Sequence, residues 1–171
     1  MPRHPANRII LRPPTANDAP AFLAGMARSK RLHGPWATGP TTPDAFQIYL
    51  GRMAVPTHCA LLVCLRDGGD MVGVVNITNI IRGLFQSAYV GYFVFEGFER
   101  QGLMREALSA AVQHAFKKMK LHRLEANIQP GNTASIALAQ ACGFSKEGFS
   151  PRYLKIRGQW KDHERWAIVA R

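Results

Sequence analysis

The spacing of apolar and polar residues changes period several times along the chain, and each change marks a boundary between elements. Arg8-Ile9-Ile10-Leu11-Arg12 is a short β-rich run stopped by Pro13-Pro14. The polar Thr15-Ala16-Asn17-Asp18 then offers caps for a helix from about Asp18 to Ser29. Gly34, Pro35, Gly39 and Pro40 predict a loop over 30–41. Thr42-Pro43-Asp44 combines a cap, a proline suited to the first helical turn and an acid facing the helix dipole, so a second helix runs to about Met53. Cys59 to Arg66 is a continuous apolar run ending at the turn signal Asp67-Gly68-Gly69-Asp70. Met71 to Ile81 returns from it, and Ser87 to Phe95 follows after a short link, which predicts antiparallel neighbours.

The period then switches. Apolar residues at 104, 107, 108, 111, 112, 115, 116 and 119 give one helical face from Met104 to Lys120, ending in Lys117, Lys118 and Lys120. Leu121 to Ile128 is a strand, Asn132 caps a helix over Thr133 to Cys142, and Gly143 stops it. Strands at about Pro151 to Ile156 and His163 to Val169 flank a turn at Arg157-Gly158-Gln159. The fold class is α+β: a mostly antiparallel sheet with flanking helices and a strand–helix–strand unit at its centre. In that unit 87–95 and 121–128 run parallel through a right-handed crossover.

Composition narrows the class. A length of 171 residues fits one domain over 1–171, and 47% hydrophobic with 19% charged residues reads as a packed globule. No apolar run approaches the roughly 20 residues that span a bilayer. Only Ile9 to Leu11 follow MPRHPANR without interruption, too few for a signal segment, so a cytoplasmic protein without membrane contact is expected. Cys59 and Cys64 stand five apart in a strand, hence on opposite faces. With Cys142 they read as buried thiols; no CxxC occurs and no metal is expected. The formal net charge of +11 suits a polyanion such as RNA or a phosphorylated cofactor, although the cations form no block.

The candidate chemistry lies at the switch of period. In Glu99-Arg100-Gln101-Gly102-Leu103-Met104-Arg105-Glu106, a glycine before a helix lets backbone N–H groups approach an anion, and Arg100 and Arg105 add charge to the helix dipole. The turn lacks a second glycine and a Lys-Ser/Thr pair, so it is neither a P-loop nor a dinucleotide fingerprint. Together with the preceding Tyr92-Phe93-Val94-Phe95 and the following Glu106-Ala107-Leu108, it resembles the acyl-CoA segment of the GNAT acetyltransferases. Arg8 to Ala19 is similar to that family's opening strand and cap, and Leu121 to Gly148 to its second cofactor segment. Tyr153 to Ala167 is similar to the closing hairpin of its ribosomal-protein-alanine N-acetyltransferase branch.

The resemblance implies two parallel strands splayed at an acetyl-CoA site. It implies that the backbone of Phe93, Val94 and Phe95 pairs with the pantetheine arm and that the Val94 N–H polarises the thioester. Amides of Arg100, Gln101, Gly102, Leu103, Met104 and Arg105 would hold the pyrophosphate, and the Asn132 side chain would reach the cofactor. Ser135, one turn above Asn132, would protonate the leaving thiolate. Glu99 departs from the loop's usual pattern. Asn127 and Ala139 stand where many members carry a glutamate base and a tyrosine acid. Glu125, on the same side of its strand as Asn127, is the first candidate base and Glu96 the second; a water relay with no dedicated base is the third route. Trp36 and Phe46 would line the acceptor groove, with His163, near Trp160 and Trp166, on the acceptor side.

Three functions remain open at this point. One is acetyl-CoA-dependent transfer to a protein N-terminal α-amine, with the positive charge available for ribosomal RNA. Another is transfer to a small-molecule amine, and the third is a non-catalytic CoA-fold or RNA-binding protein. Monomer and homodimer are equally compatible with the sequence.

Overall fold

The expected strands close into one seven-stranded sheet. The computed structural model describes residues 7–36 and 38–171; residues 1–6, most of the MPRHPANR segment, and Ala37, within the expected loop, lie outside the described residues. In chain order the elements are β1 (Ile9–Arg12), a single 3-10 turn (Ala16–Asp18), α1 (Ala19–Arg28), α2 (Lys30–His33), α3 (Pro43–Met53), β2 (Cys59–Leu65), β3 (Met71–Ile81), β4 (Ser87–Val94), α4 (Leu103–Lys117), β5 (Arg123–Ile128), α5 (Thr133–Ala141), β6 (Ser145–Ile156) and β7 (Gln159–Val169). The sheet order is β1-β2-β3-β4-β5-β7-β6. All neighbours are antiparallel except β4 and β5, which pair in parallel over only Ser87–Arg123, Ala88–Leu124 and Tyr89–Glu125. Beyond Tyr89 the two strands diverge.

The alternation of side chains divides the core between the two faces. One face carries Val72, Val75, Ile77, Ala88, Val90, Leu124, Ala126 and Ile128 against the apolar stripe of α4 and against α5. The other carries Leu62, Cys64, Val74 and Phe95 against Phe22, Phe46 and Tyr49 of α1 and α3. Cys59 and Cys64 do pack on opposite faces. Both thiols are pushed up by burial and stay protonated at neutral pH.

Four boundaries differ from the sequence reading. α2 forms inside the expected 30–41 loop, because Ser29 breaks α1 without ending the coil. Its buried hydroxyl donates to Gly25 O at 2.6 Å and accepts from the Glu96 N–H at 2.8 Å, tying the α1–α2 joint to the end of β4. α4 ends at Lys117, before Lys120 turns left-handed at φ 58°. β6 starts at Ser145 and is mostly exposed, as an edge strand can be. Pro151 falls in its register shift, where a missing N–H costs no ladder bond. The hairpin turn holds two residues, Arg157 and Gly158, both at positive φ, so Gln159 already belongs to β7.

Asp18 anchors the first loop. Its carboxylate accepts two bonds from Arg12, at 2.9 and 2.6 Å, and two from Thr15, from N–H at 2.7 Å and hydroxyl at 3.0 Å. The Arg12 bond holds its pKa below the usual aspartate range, against the opposing effect of burial. A depressed folded pKa makes this stabilisation complete above the unfolded value near 3.9 and removes it as pH falls through the folded value. Asp18→Asn is therefore expected to cost about 2 kcal/mol at pH 7 in urea unfolding. The difference from the native chain should shrink as the pH is taken below about 4.

Candidate active site

The divergence of β4 and β5 opens a cleft of about 990 Å³. Its walls are β4 from Val90 to Val94, β5 from Ala126 to Ile128 and the start of α5, and it is closed at one end by the 98–105 turn. Trp36, Asn76 and His163 also belong to the lining.

The register fixes which backbone groups face the gap. Gly73 lies opposite Val94, and the Phe95 N–H donates to Val72 O at 2.8 Å. Antiparallel ladders alternate, so Phe95 and Phe93 direct their backbone groups toward β3, and Val94 and Tyr92 direct theirs toward β5. At Val94 no β5 partner remains. Its carbonyl accepts a bond from His33 Nε2 at 2.8 Å, which leaves the N–H directed into the cleft. Of the three residues expected to pair with a pantetheine arm, Val94 thus turns its backbone groups to the gap, as does Tyr92, while those of Phe93 and Phe95 turn toward β3. Phe93 is among the lining residues, whereas Phe95 is fully buried among Phe22, His33 and Phe93.

At the closed end, Gly102 caps α4 in the left-handed region at φ 75°, and Arg100 before it is also left-handed at φ 61°. The first helical bond runs from the Glu106 N–H to Gly102 O, so the N–H groups of Leu103, Met104 and Arg105 have no helical partner, the arrangement that suits an anion. Arg100, Gly102, Leu103, Met104 and Arg105 all line the cleft. Gln101 braces the turn instead, its amide donating to Gly97 O at 2.7 Å. Glu99 braces it too. Its carboxylate accepts from the Gly97 N–H at 2.7 Å, and bonds of this kind from the turn's own N–H groups hold its pKa below the usual range. A residue that departs from the usual loop pattern is therefore the loop's own clasp. Arg8, to which the sequence gives no part here, donates from Nε to Glu106 Oε1 at 2.6 Å and neutralises an acid in the first turn of α4.

On the facing wall Asn132 caps α5, its Oδ1 accepting from the Ser135 N–H at 3.3 Å, and both residues line the cleft. The Ser135 hydroxyl donates to Tyr92 Oη at 3.0 Å, and the Tyr92 hydroxyl donates in turn to Ser135 O at 3.1 Å. Burial pushes Tyr92 up to about 12, so it stays protonated at working pH. The sequence motif gives Tyr92 no role, because its reach to α5 depends on the divergence of the strands.

The expected glutamates are elsewhere. Glu125 is half-buried and bonded to Arg123 at 2.8 Å; Arg123 also pairs with Glu147. Neither Glu125 nor the exposed Glu96 is among the lining residues. Asn127 does line the cleft, and its Oδ1 is buried without a hydrogen-bond partner. Trp36 stands at the mouth, within van der Waals reach of Gly131, while Phe46 is fully buried against Phe22 and Tyr49, so its expected place in the acceptor groove is corrected.

Divergent parallel strands beside a helix N-terminus with free N–H groups are what an acyl-CoA thioester needs, and the comparisons agree. An acetyltransferase (GNAT) domain matches residues 8–145. The chain belongs to the GNAT acetyltransferase family. It is 41% identical over 103 residues to the [ribosomal protein uS5]-alanine N-acetyltransferase of Escherichia coli, covering 60% of this chain and 53% of that protein. It is 40% identical over 99 residues to the probable N-acetyltransferase YjcK of Bacillus subtilis, covering 58% and 55%. The matched segment thus spans about half the length of these curated relatives. Among solved structures, Mycobacterium smegmatis RimJ in complex with CoA-disulfide superposes with a TM-score of 0.87 at 29% identity, covering 95% of this chain and 82% of that one. The GNAT resemblance carried by the sequence motifs therefore holds, both for the family and for the ribosomal-protein acetyltransferase neighbours. Among the described residues no helix is long and apolar enough to cross a membrane.

Proposed function

We propose that the chain transfers the acetyl group of acetyl-CoA directly to the α-amine of a protein or peptide N-terminus. The observation that carries the reading is the pair of donors in one cleft: the Val94 N–H on one wall and the Ser135 hydroxyl on the other. Acetyl-CoA supplies an acetyl group activated as a thioester. The amides of 103–105 with Arg100 and Arg105 hold its pyrophosphate, and Asn132 contacts the arm. The Val94 N–H donates to the carbonyl oxygen, where negative charge grows as the amine attacks. Ser135 gives its proton to the departing sulfur, and Tyr92 holds the serine side chain in place for that transfer.

The choice of acceptor rests on charge. Glu99 is the one carboxylate among the described lining residues, and it is engaged at the pyrophosphate end. A polyamine would bring several cations to a cleft with no acid to receive them. A terminal α-amine brings one group, about a tenth of it already neutral at pH 7. The similarity to a protein-alanine acetyltransferase supports the same acceptor.

The test is CoA release with acetyl-CoA and one of three acceptors: a peptide with free N-terminal alanine, the same peptide blocked at its N-terminus, or spermidine. Release with the free peptide alone is the expected result. Release with spermidine and not with the free peptide would overturn the reading.

A further inference from the structure

Acetyl transfer leaves a proton on the attacking nitrogen, and the glutamates expected to take it are not at the cleft. The geometry points to His163 Nε2 as the atom that accepts it, an inference that rests on the acetyl-transfer reading above. His163 lies on β7, only 3% exposed, and lines the same cleft as Val94 and Ser135. Its Nδ1 lies 2.9 Å from Lys161 O. A carbonyl oxygen can only accept, so Nδ1 carries the hydrogen and Nε2 holds a free lone pair. Among the described residues Nε2 makes no hydrogen bond, and it is not one of the side-chain atoms buried without a partner. The ring is thus fixed in the tautomer of a base.

The other histidine at the cleft is differently placed. His33 gives its Nε2 hydrogen to Val94 O at 2.8 Å, and its ring packs 5.0 Å from Phe93 and 6.3 Å from Phe95. It fastens β4. Around His163, the nearest ring is Tyr153 of β6, at 6.3 Å between centroids. Lys161 and Arg165 share its face of β7, and Asn127 and Glu125 share the corresponding face of β5. Glu125 is paired with Arg123, so no free carboxylate competes with the imidazole for the proton. Asn127, with its orphan Oδ1, offers an acceptor for an N–H of the incoming amine.

The proton balance closes. The N–C bond forms as the C–S bond breaks; the nitrogen's proton goes to His163 Nε2 and Ser135's proton to sulfur. Solvent then takes the imidazolium proton and returns one to the serine.

Two variants separate proton transfer from support. In His163→Asn the amide nitrogen stands near the place of Nδ1 and can still donate to Lys161 O, but nothing replaces Nε2. In His163→Gln the amide reaches the place of Nε2 but accepts no proton. Both are expected to lower kcat for the alanine peptide about 100-fold at pH 7. Melting temperature and calorimetric acetyl-CoA affinity should stay close to the native values, and the loss should shrink as pH falls. The acid limb of the native kcat profile should be absent from both. Native-like kcat with the acid limb intact in His163→Asn would overturn the inference, reducing the ring to a prop for the strand. Native-like kcat in His163→Gln would overturn it in favour of a hydrogen bond alone. The native protein run alongside keeps the two readings apart, since no turnover of the peptide by native protein would sink the acceptor reading instead.

Discussion

Ser135→Ala is expected to lower kcat about 100-fold while acetyl-CoA binds nearly as before. The reason lies in the leaving group. Thiolate expulsion is helped by a donor at sulfur, and Ser135 is the hydroxyl on the α5 wall of the cleft, held at 3.0 Å from Tyr92 Oη. Alanine removes the proton but not the fold of the wall: the Asn132 cap uses the backbone N–H of residue 135, which survives the substitution. KM for acetyl-CoA should therefore move less than about threefold, the signature of an interaction made chiefly in the transition state. Tyr92→Phe should cost less, about tenfold, because it releases the serine without deleting it. Since burial holds Tyr92 up to about 12, native activity should show no alkaline loss from its ionisation up to about pH 10. A donor with a more acidic thiol leaving group provides the check. It needs less help from an acid, so the Ser135→Ala deficit should contract with it; an unchanged deficit would assign Ser135 to binding geometry instead.

Elements with a strong period were legible in the sequence. The α4 stripe from 104 to 119 and the opposed faces of Cys59 and Cys64 both follow from spacing alone, because burial on one face forces the pattern. The edge strand β6 was half lost. Ser145 to Ser150 is mostly exposed, so no face was selected to be apolar, and Pro151 in the bulge reads as a break. The anion turn was legible because the helix start and Gly102 are local features. Its internal clasp, Glu99 on the Gly97 N–H, was not, since the same residue read as a departure from the motif. The Tyr92–Ser135 contact joins residues 43 apart through the divergence of β4 from β5, a tertiary fact with no local trace. Glu125 shows the converse failure. Strand alternation gave it the right face, but Arg123 two residues earlier shares that face and binds it. The turn from Phe46 to Tyr49 likewise decides that the aromatic residues of α3 fill the core beneath the sheet.

The second large effect is expected from a glycine that touches no substrate. Gly73 of β3 stands directly opposite Val94, in the close, non-hydrogen-bonded type of pair. A Cβ there would fall on the Phe93 carbonyl oxygen and lie 3.0 Å from Val94 Cα. Both obstacles are backbone, so no side chain can swing aside and β4 itself must move. A glycine inside a strand marks such close approach, and here the register shift at Val63/Cys64 lies next to it. Gly73→Ala should therefore destabilise the protein by about 2–3 kcal/mol in urea unfolding. It should also displace the Val94 N–H that points into the cleft, lowering kcat/KM for acetyl-CoA at least about tenfold. Gly91→Ala is the contrast. It lies on the strand that would be displaced, lines the cleft, and a Cβ there meets nothing within 4 Å, so its unfolding free energy should stay within about 0.5 kcal/mol of native. If Gly73→Ala kept both native stability and native kcat/KM, the position of the Val94 donor would not depend on this contact. Loss of both in Gly73→Ala, with stability kept in Gly91→Ala, would tie the donor's position to a residue on the neighbouring strand, where the absence of a methyl group is what lets β4 lie close enough to β3 to leave its other edge open to the thioester.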